Sequence, residues 1–299
     1  MANISICRTL CGTFRFIGLG GALIAATPAW SQTEHAQRIV SVGGAVTETL
    51  YEVGVQDRII AVDTTSLFPL DALKTKPNVG YLRALSPEGV LGMSPDLIIM
   101  EADAGPPDAV ALLDKAGIPV VHVPSGHEMG ELPRKIRDVA AAVGKKDDGE
   151  RIATKVETDL ATLKRDLAAV AKRKRVLFIL SLVDGRPMAA GTHTAANTII
   201  ELAGAENVFA EVKGYKTISP EAAAALQPDV ILMITRSSAP QEGEDILKQP
   251  AFAETPAGKT GGFIKMESLY LLGFGPRTAE AARDLAARLY PDLKLAGAK

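Results

Sequence analysis

Two similar motifs hold the side chains best suited to bind a metal-containing ligand. Gly80-Tyr-Leu-Arg-Ala-Leu-Ser-Pro-Glu88 recurs, one residue shorter, as Gly214-Tyr-Lys-Thr-Ile-Ser-Pro-Glu221. Phenolate oxygen is a recognised ligand of ferric iron, but a free phenol has a pKa of about 10, so ligation at neutral pH needs the metal and a nearby cation. Arg83 follows Tyr81 by two residues and is suitably placed to supply that charge. The alternative for Tyr81 is a ring that packs at the rim of a cleft.

The repeat indicates two related lobes, because each copy of the motif leads into an apolar strand. These strands read Pro95-Asp-Leu-Ile-Ile-Met100 and Pro228-Asp-Val-Ile-Leu-Met233. In Ser-Pro-Glu the serine is a good N-cap, the proline suits the first helical position, and the carboxylate favours the positive end of the helix. Glu88 and Glu221 therefore form a matched pair, one per lobe. Small ligands are usually held in the cleft between two such lobes.

The second lobe contributes two further candidates. Tyr215 occupies the position equivalent to Tyr81, and we expect it to line the pocket rather than to bind iron directly. His193 lies in a Gly-Thr-His-Thr segment that we expect to lead into a helix over 195–204. Imidazole is a common iron ligand, so His193 is either a second ligand opposite Tyr81 or a helix-entry residue without metal contact.

A zinc site is an alternative that the remaining histidines offer. His122 lies on a predicted strand, and His127 and Glu128 follow in the next loop. Histidine and carboxylate suit that ion. The alternative is that His122 is a strand residue with its own hydrogen-bond partner and that His127 is a surface residue.

The elements that must position these residues follow an α/β pattern. Short apolar runs such as Arg38-Ile-Val-Ser-Val42 alternate with amphipathic stretches, which is typical of mainly parallel sheets flanked by helices. Within 145–174, apolar residues recur every three or four positions, so we predict one long helix over this segment. The predicted organisation is an N-terminal lobe over 32–144, a connecting helix over 145–174 and a C-terminal lobe over 175–299. The ligand cleft lies between the lobes.

The loop in front of Tyr81 is longer than its counterpart in the second lobe. Ser86 follows Gly54 by 32 positions, whereas Ser219 follows the equivalent Gly204 by 15. The first lobe has therefore gained an insertion directly before Tyr81. An insertion beside a motif that both lobes share suggests a specialised loop.

The N-terminus and the composition limit the function classes. Residues 1–31 contain arginines, no acidic residue and an apolar run that ends in small residues, which is the layout of a cleaved secretory signal peptide. Cys7 and Cys11 are the only cysteines and lie inside this segment, so we expect no disulfide or thiolate site in the exported protein. The net charge of −2 argues against a nucleic-acid partner.

Residues 38–292 resemble the substrate-binding proteins of ABC importers that carry a single long helix between two lobes. The resemblance rests on the signal peptide, the duplicated lobes, the helical connector and the late turn Gly273-Phe-Gly-Pro-Arg-Thr278. That group delivers ferric siderophores, vitamin B12 and heme. Within it, the motifs at 80–88, 190–197 and 214–221 are most similar to the periplasmic hemin-binding branch.

This resemblance implies a periplasmic protein that captures ferric heme and delivers it to an inner-membrane ABC importer. Tyr81 would be the axial ligand of the heme iron, and Arg83 would stabilise the phenolate or a heme propionate. Glu88 and Glu221 would dock onto arginines of a two-fold permease dimer, where paired charges aid orientation and encounter. We expect the protein to act as a monomer.

Two other functions stay open on the sequence. The same fold serves ferric siderophores and cobalamin, although the loss of Trp30 with the signal peptide leaves no tryptophan to cradle a corrinoid. A cell-envelope zinc-dependent hydrolase would use His122, His127 and Glu128. Since the sequence has no nucleophile elbow, Walker loop or paired-histidine hydrolase motif, we expect no enzyme activity.

Overall fold

The computed structural model describes residues 33–128, 130–235 and 245–296. The predicted signal peptide at 1–31 lies outside the described residues. Within them, no helix is both long enough and apolar enough to cross a membrane. The chain forms two α/β lobes, each with a sheet flanked by helices, which confirms the predicted fold class.

The N-terminal lobe is built on a four-stranded sheet. Its elements are β1 (Ile39–Val42), α1 (Gly44–Glu52), β2 (Ile59–Val62), α2 (Ala72–Thr75), α3 (Pro87–Leu91), β3 (Leu97–Glu101), α4 (Pro107–Asp114), β4 (Val120–Val123) and α5 (Glu131–Ala142). The strands run parallel in the order β2-β1-β3-β4. Every residue of β1 is buried, because helices cover both faces of a parallel sheet and its strands become continuous apolar runs.

A long helix, α6 (Lys146–Asp166), connects the lobes and belongs to both cores. Ile152 and Val156 pack into the N-terminal core, whereas Leu163 packs into the C-terminal core. The helix is shorter than the predicted 145–174: it tightens into a 3₁₀ turn at Leu167–Ala169, and Val170 has an extended backbone. The chain has to leave the helix there because it must turn into the first strand of the second lobe.

The C-terminal lobe has a six-stranded sheet. Its elements are β5 (Arg175–Val183), β6 (Arg186–Ala190), α7 (Ala195–Leu202), β7 (Glu206–Asn207), β8 (Tyr215–Thr217), α8 (Pro220–Ala225), β9 (Val230–Thr235), α9 (Pro250–Ala253), α10 (Pro256–Thr260), β10 (Phe263–Glu267), α11 (Ser268–Leu272) and α12 (Thr278–Leu289). The order is β10-β9-β5-β6-β8, with β7 beside β5. This sheet is mixed, because β6 runs antiparallel to both β5 and β8.

The duplication is visible in the hydrogen bonds of the two lobes. Asp96 accepts a hydrogen bond from the backbone N–H of Arg38 at 2.8 Å, and Asp229 accepts one from the backbone N–H of Arg175 at 2.9 Å. In both lobes the residue before Pro-Asp has a positive φ, 50° and 48°. The same device thus fixes the start of the first strand in each lobe.

A second link joins the lobes besides α6. Arg277 of the second lobe donates its backbone N–H to Glu48 Oε1 at 3.0 Å and its guanidinium to Glu48 Oε2 at 2.9 Å. The guanidinium also stacks over the ring of Phe68, 3.5 Å from the ring centroid. Glu48 lies on α1 and is 5% exposed. We call Glu48, Phe68 and Arg277 the interlobe clasp.

Candidate functional site

The inserted loop places Tyr81 at the carboxyl edge of the N-terminal sheet. The loop leaves β2 and returns beside it, because Val79 N–H donates to Val62 O and Thr64 N–H donates to Gly80 O, each at 2.9 Å. Gly80 has a φ of 98°, a conformation that glycine adopts without the steric cost that other residues incur. In open α/β sheets this edge is where ligands bind.

The turn that begins at Tyr81 alternates anchors with outward-facing side chains. Leu82 and Leu85 are buried in the lobe core, and the N–H of Ala84 donates to Tyr81 O at 2.7 Å. Tyr81 is 43% exposed, and Arg83 also faces solvent. The apolar anchors therefore hold the backbone while the phenol and the guanidinium remain available to a ligand.

Arg83 connects Tyr81 to an acid that the sequence analysis missed. Its Nη1 donates to the phenol oxygen of Tyr81 at 2.8 Å, and its Nη2 forms an ion pair with Asp103 Oδ2. Burial acts to lower the pKa of Arg83, but the hydrogen bond to Tyr81 and the charge of Asp103 outweigh it, so that pKa is raised. A charged guanidinium therefore lies at hydrogen-bond distance from the phenol.

Asp103 lies in the turn after β3, next to a buried ion pair. Lys135, fully buried, donates to Glu101 Oε1 at 3.1 Å and to Ser125 O at 2.5 Å. Burial raises the pKa of Glu101, and the charge of Lys135 acts to lower it. Glu101 ends strand β3 of the repeat and Asp103 follows two residues later, at the edge where ligands bind. That position in the sequence was the signal that could have found them.

Tyr215 lies across the cleft from Arg83. It begins the edge strand β8 and is 42% exposed. Burial raises the pKa of Tyr215, and the charge of Arg83 acts to lower it. The charge of Arg83 in the first lobe thus acts on a tyrosine of the second.

His193 lies on the same rim as Tyr215. Gly191 N–H donates to Gly214 O at 2.9 Å and Gly214 N–H donates to Thr192 O at 2.8 Å, which ties the His193 loop to the Tyr215 loop. His193 is exposed and has a φ of 57°. It directly precedes Thr194, the N-cap of α7. In the described part of the chain no hydrogen bond joins His193 to Tyr81 or Arg83.

Glu88 and Glu221 occupy matching exposed turns, one on each lobe. The hydroxyl of Ser86 accepts from Gly89 N–H at 3.2 Å, and that of Ser219 accepts from Ala222 N–H at 3.1 Å, so each serine caps its helix. Hydrogen bonds to their own backbone and to these serines lower the pKa of Glu88 and of Glu221. Both acids carry their charge at the surface at neutral pH.

In the described part of the chain, His122, His127 and Glu128 do not form a zinc site. His122 Nε2 lies 2.8 Å from Asp114 Oδ1 on the neighbouring helix α4, and His127 lies in the loop beyond β4. Across 33–128, 130–235 and 245–296, no three histidine, cysteine, aspartate or glutamate side chains form a group that could hold a metal ion. His122 therefore has a local partner of its own.

A cavity of about 760 Å³ lies away from Tyr81, along α6. Leu132, Leu160 and Leu202 form part of its apolar wall, and Glu128 lies on its rim. Tyr81, Arg83 and Tyr215 do not line it. Because neither the Tyr81 phenol nor the Arg83 guanidinium reaches this cavity, we place the candidate metal-binding chemistry at Tyr81 and not there.

Comparisons with known proteins agree with this architecture. A solved periplasmic heme-binding protein, BhuT, in complex with two hemes is 37% identical, with a TM-score of 0.79, and the match covers 86% of this chain and 99% of that chain. The periplasmic heme-binding protein RhuT from Roseiflexus sp. RS-1 is 35% identical, with a TM-score of 0.80 and coverage of 87% and 100%. The vitamin B12-binding protein of Pectobacterium atrosepticum is 26% identical over 95% of this chain and 98% of its own length.

The family of this chain follows from a match that covers most of its length. The sequence model described as periplasmic binding protein matches residues 39–270, a range that includes both Tyr motifs, α6 and both sheets. Proteins of this kind are components of transport systems and not enzymes, which agrees with the expectation from the motifs. The chain belongs to the family of periplasmic binding proteins.

Proposed function

We propose that this protein captures ferric heme in the periplasm and delivers it to an ABC importer of the inner membrane. Tyr81 acts as the axial ligand of the heme iron, and Arg83 stabilises the bound phenolate. Tyr215 lines the opposite side of the cleft. His193 on the same rim is the candidate for a second contact with the macrocycle or its iron.

The observation that carries the proposal is the hydrogen bond between Arg83 and the exposed phenol of Tyr81. Tyrosinate is a hard anionic ligand of ferric heme iron, and a cation at hydrogen-bond distance favours the charged form of a phenol. The heme-binding relatives at 37% and 35% identity support the same ligand.

Affinity comes mostly from a pocket that exists before the ligand arrives. The helix α6 and the interlobe clasp both connect the lobes, so large closing movements would have to break buried contacts. A pre-organised site avoids the cost of ordering its side chains on binding. The turn that begins at Tyr81 is one pre-organised part of this pocket, because Leu82 and Leu85 anchor it in the lobe core.

A titration of the purified protein with hemin tests the proposal. We expect a stoichiometric change in the Soret band together with charge-transfer bands of a tyrosinate-ligated ferric heme. The cobalamin relative makes cyanocobalamin the essential comparison, and a ferric siderophore is the third ligand. Binding of either of these without any hemin response would reject heme as the cargo and leave an importer receptor with another ligand.

Glu88 and Glu221 provide a separate test of delivery. We expect the double variant Glu88→Ala, Glu221→Ala to bind hemin normally but to fail to stimulate the ATPase of the reconstituted importer, because both docking charges are removed. Glu254→Ala is the matched control, since Glu254 is another exposed acid, with a side chain 85% accessible. Full stimulation by the double variant would show that docking uses other residues.

A further inference from the structure

We infer that Asp103 is the positioning residue that holds Arg83 in the orientation from which it donates to Tyr81. This inference rests on the proposed function, because it concerns how the Tyr81 phenolate is stabilised. Asp103 is 20 residues from Arg83 in the sequence and belongs to neither Tyr motif. It acts on the ligand only through the guanidinium.

The guanidinium of Arg83 is held from two sides. Nη1 donates to Tyr81 at 2.8 Å and Nη2 pairs with Asp103. A guanidinium is a rigid planar fork, so fixing one nitrogen also directs the other. The side chain of Arg83 is 52% exposed, and without Asp103 it would be free to sample other rotamers in solvent.

Asp103 is itself fixed relative to the Tyr81 turn by the backbone. Gly105 N–H donates to Leu82 O and Leu85 N–H donates to Gly105 O, both at 2.8 Å. On its other side the turn is fixed to β4, because Ala102 N–H donates to Val123 O at 2.8 Å. The turn that holds Asp103 and the turn that holds Tyr81 and Arg83 therefore form one paired unit.

The two carboxylate oxygens of Asp103 have different surroundings. Oδ1 of Asp103 is buried and accepts no hydrogen bond from any residue in the described part of the chain. Leaving a buried acceptor unpaired is unfavourable. The hydrogen bonding of Asp103 is therefore directed to Arg83, through Oδ2.

The direction in which hemin affinity changes when Asp103 is removed separates a positioning role from an effect of charge alone. The negative charge of Asp103 partly cancels the positive charge of Arg83. If charge alone favoured the phenolate, removing Asp103 would strengthen hemin binding. If the direction of the Arg83 hydrogen bond decides, removing Asp103 weakens binding, and we expect this second result.

A double-mutant cycle on the full-length mature protein tests the inference, with hemin as the ligand. We expect Asp103→Ala to weaken hemin binding roughly three- to tenfold, the usual effect of having to immobilise one flexible side chain on binding. Its charge-transfer bands should shift toward those of Arg83→Ala. In the Arg83→Ala background, Asp103→Ala should change the affinity no further, because residues that act through one another are not additive.

Asp103→Asn provides the rescue, because its amide oxygen still accepts from Arg83. We expect its hemin spectrum and affinity to lie closer to wild type than those of Asp103→Ala, and it keeps the test possible if the alanine variant fails to fold. Unchanged or tighter binding by Asp103→Ala, or a further loss on adding it to Arg83→Ala, would overturn the positioning role. Failure of the wild-type protein to bind hemin would instead reject the proposed function.

Discussion

Replacing Tyr81 by phenylalanine is expected to abolish the charge-transfer bands of the hemin complex and to weaken hemin binding by more than about 100-fold. Loss of an outer contact to a metal site alone typically costs about 10- to 100-fold, and this variant removes the proposed iron ligand itself. The ring and its packing are kept, so the fold should be unaffected. Absorption spectra and a competition titration measure both effects.

Two other tyrosines serve as controls for this variant. Tyr51 lies on α1, away from the cleft, and Tyr51→Phe should leave the hemin spectrum unchanged. Tyr215→Phe should alter affinity without removing the charge-transfer bands, because we place Tyr215 in the pocket wall and not on the iron. Retention of those bands in Tyr81→Phe, together with their loss in Tyr215→Phe, would move the iron ligand to the second lobe.

Glu48→Ala is expected to lower the free energy of unfolding by about 3 kcal/mol, because it removes one partner of a buried ion pair. The low end of the usual range applies because the Arg277 side chain is 24% exposed and retains some contact with water. Its guanidinium also keeps the stack on Phe68. Urea denaturation followed by circular dichroism measures the change.

The matched control for the clasp is Glu52→Ala, also on α1. Glu52 is exposed, and substitutions at such positions usually change stability by no more than about 0.5 kcal/mol. We expect a clear separation between the two alanine variants. Equal midpoints for Glu48→Ala and Glu52→Ala would mean that the clasp contributes little to stability.

Local patterns in the sequence were sufficient for the two lobes and for the Tyr81 and Arg83 contact. The repeated Pro-Asp strands predicted the duplication because each copy keeps the same backbone hydrogen bond, made by Asp96 and by Asp229. Residues two apart in a tight turn readily meet, so the spacing of Tyr81 and Arg83 was informative. Tyr81 and Arg83 are near neighbours in the sequence, and the Asp96 and Asp229 hydrogen bonds recur in both copies although their partners lie 58 and 54 positions away.

The parts that sequence reasoning missed depend on distant partners or on an overlooked turn. Glu48 and Arg277 are 229 positions apart, and no spacing rule connects them. The antiparallel strand β6 had a signal that was not used: Asp184-Gly185, with φ values of 51° and 75°, is a typical two-residue hairpin turn. The end of α6 was set by the need to enter β5, which propensity alone does not reveal.

The repeat has a consequence for how the cargo is presented. The two motifs share a tyrosine and a serine-capped helix start, but Thr217 stands where the first lobe has Arg83, so no arginine lies two residues after the second phenol. Under the proposed function, the iron of the bound heme is always ligated from the side of the first lobe. A receptor made of two identical subunits would contact matching acids on both lobes, yet it would receive a cargo that is bonded to one lobe only. Its two halves must then play unequal parts when the iron bond breaks.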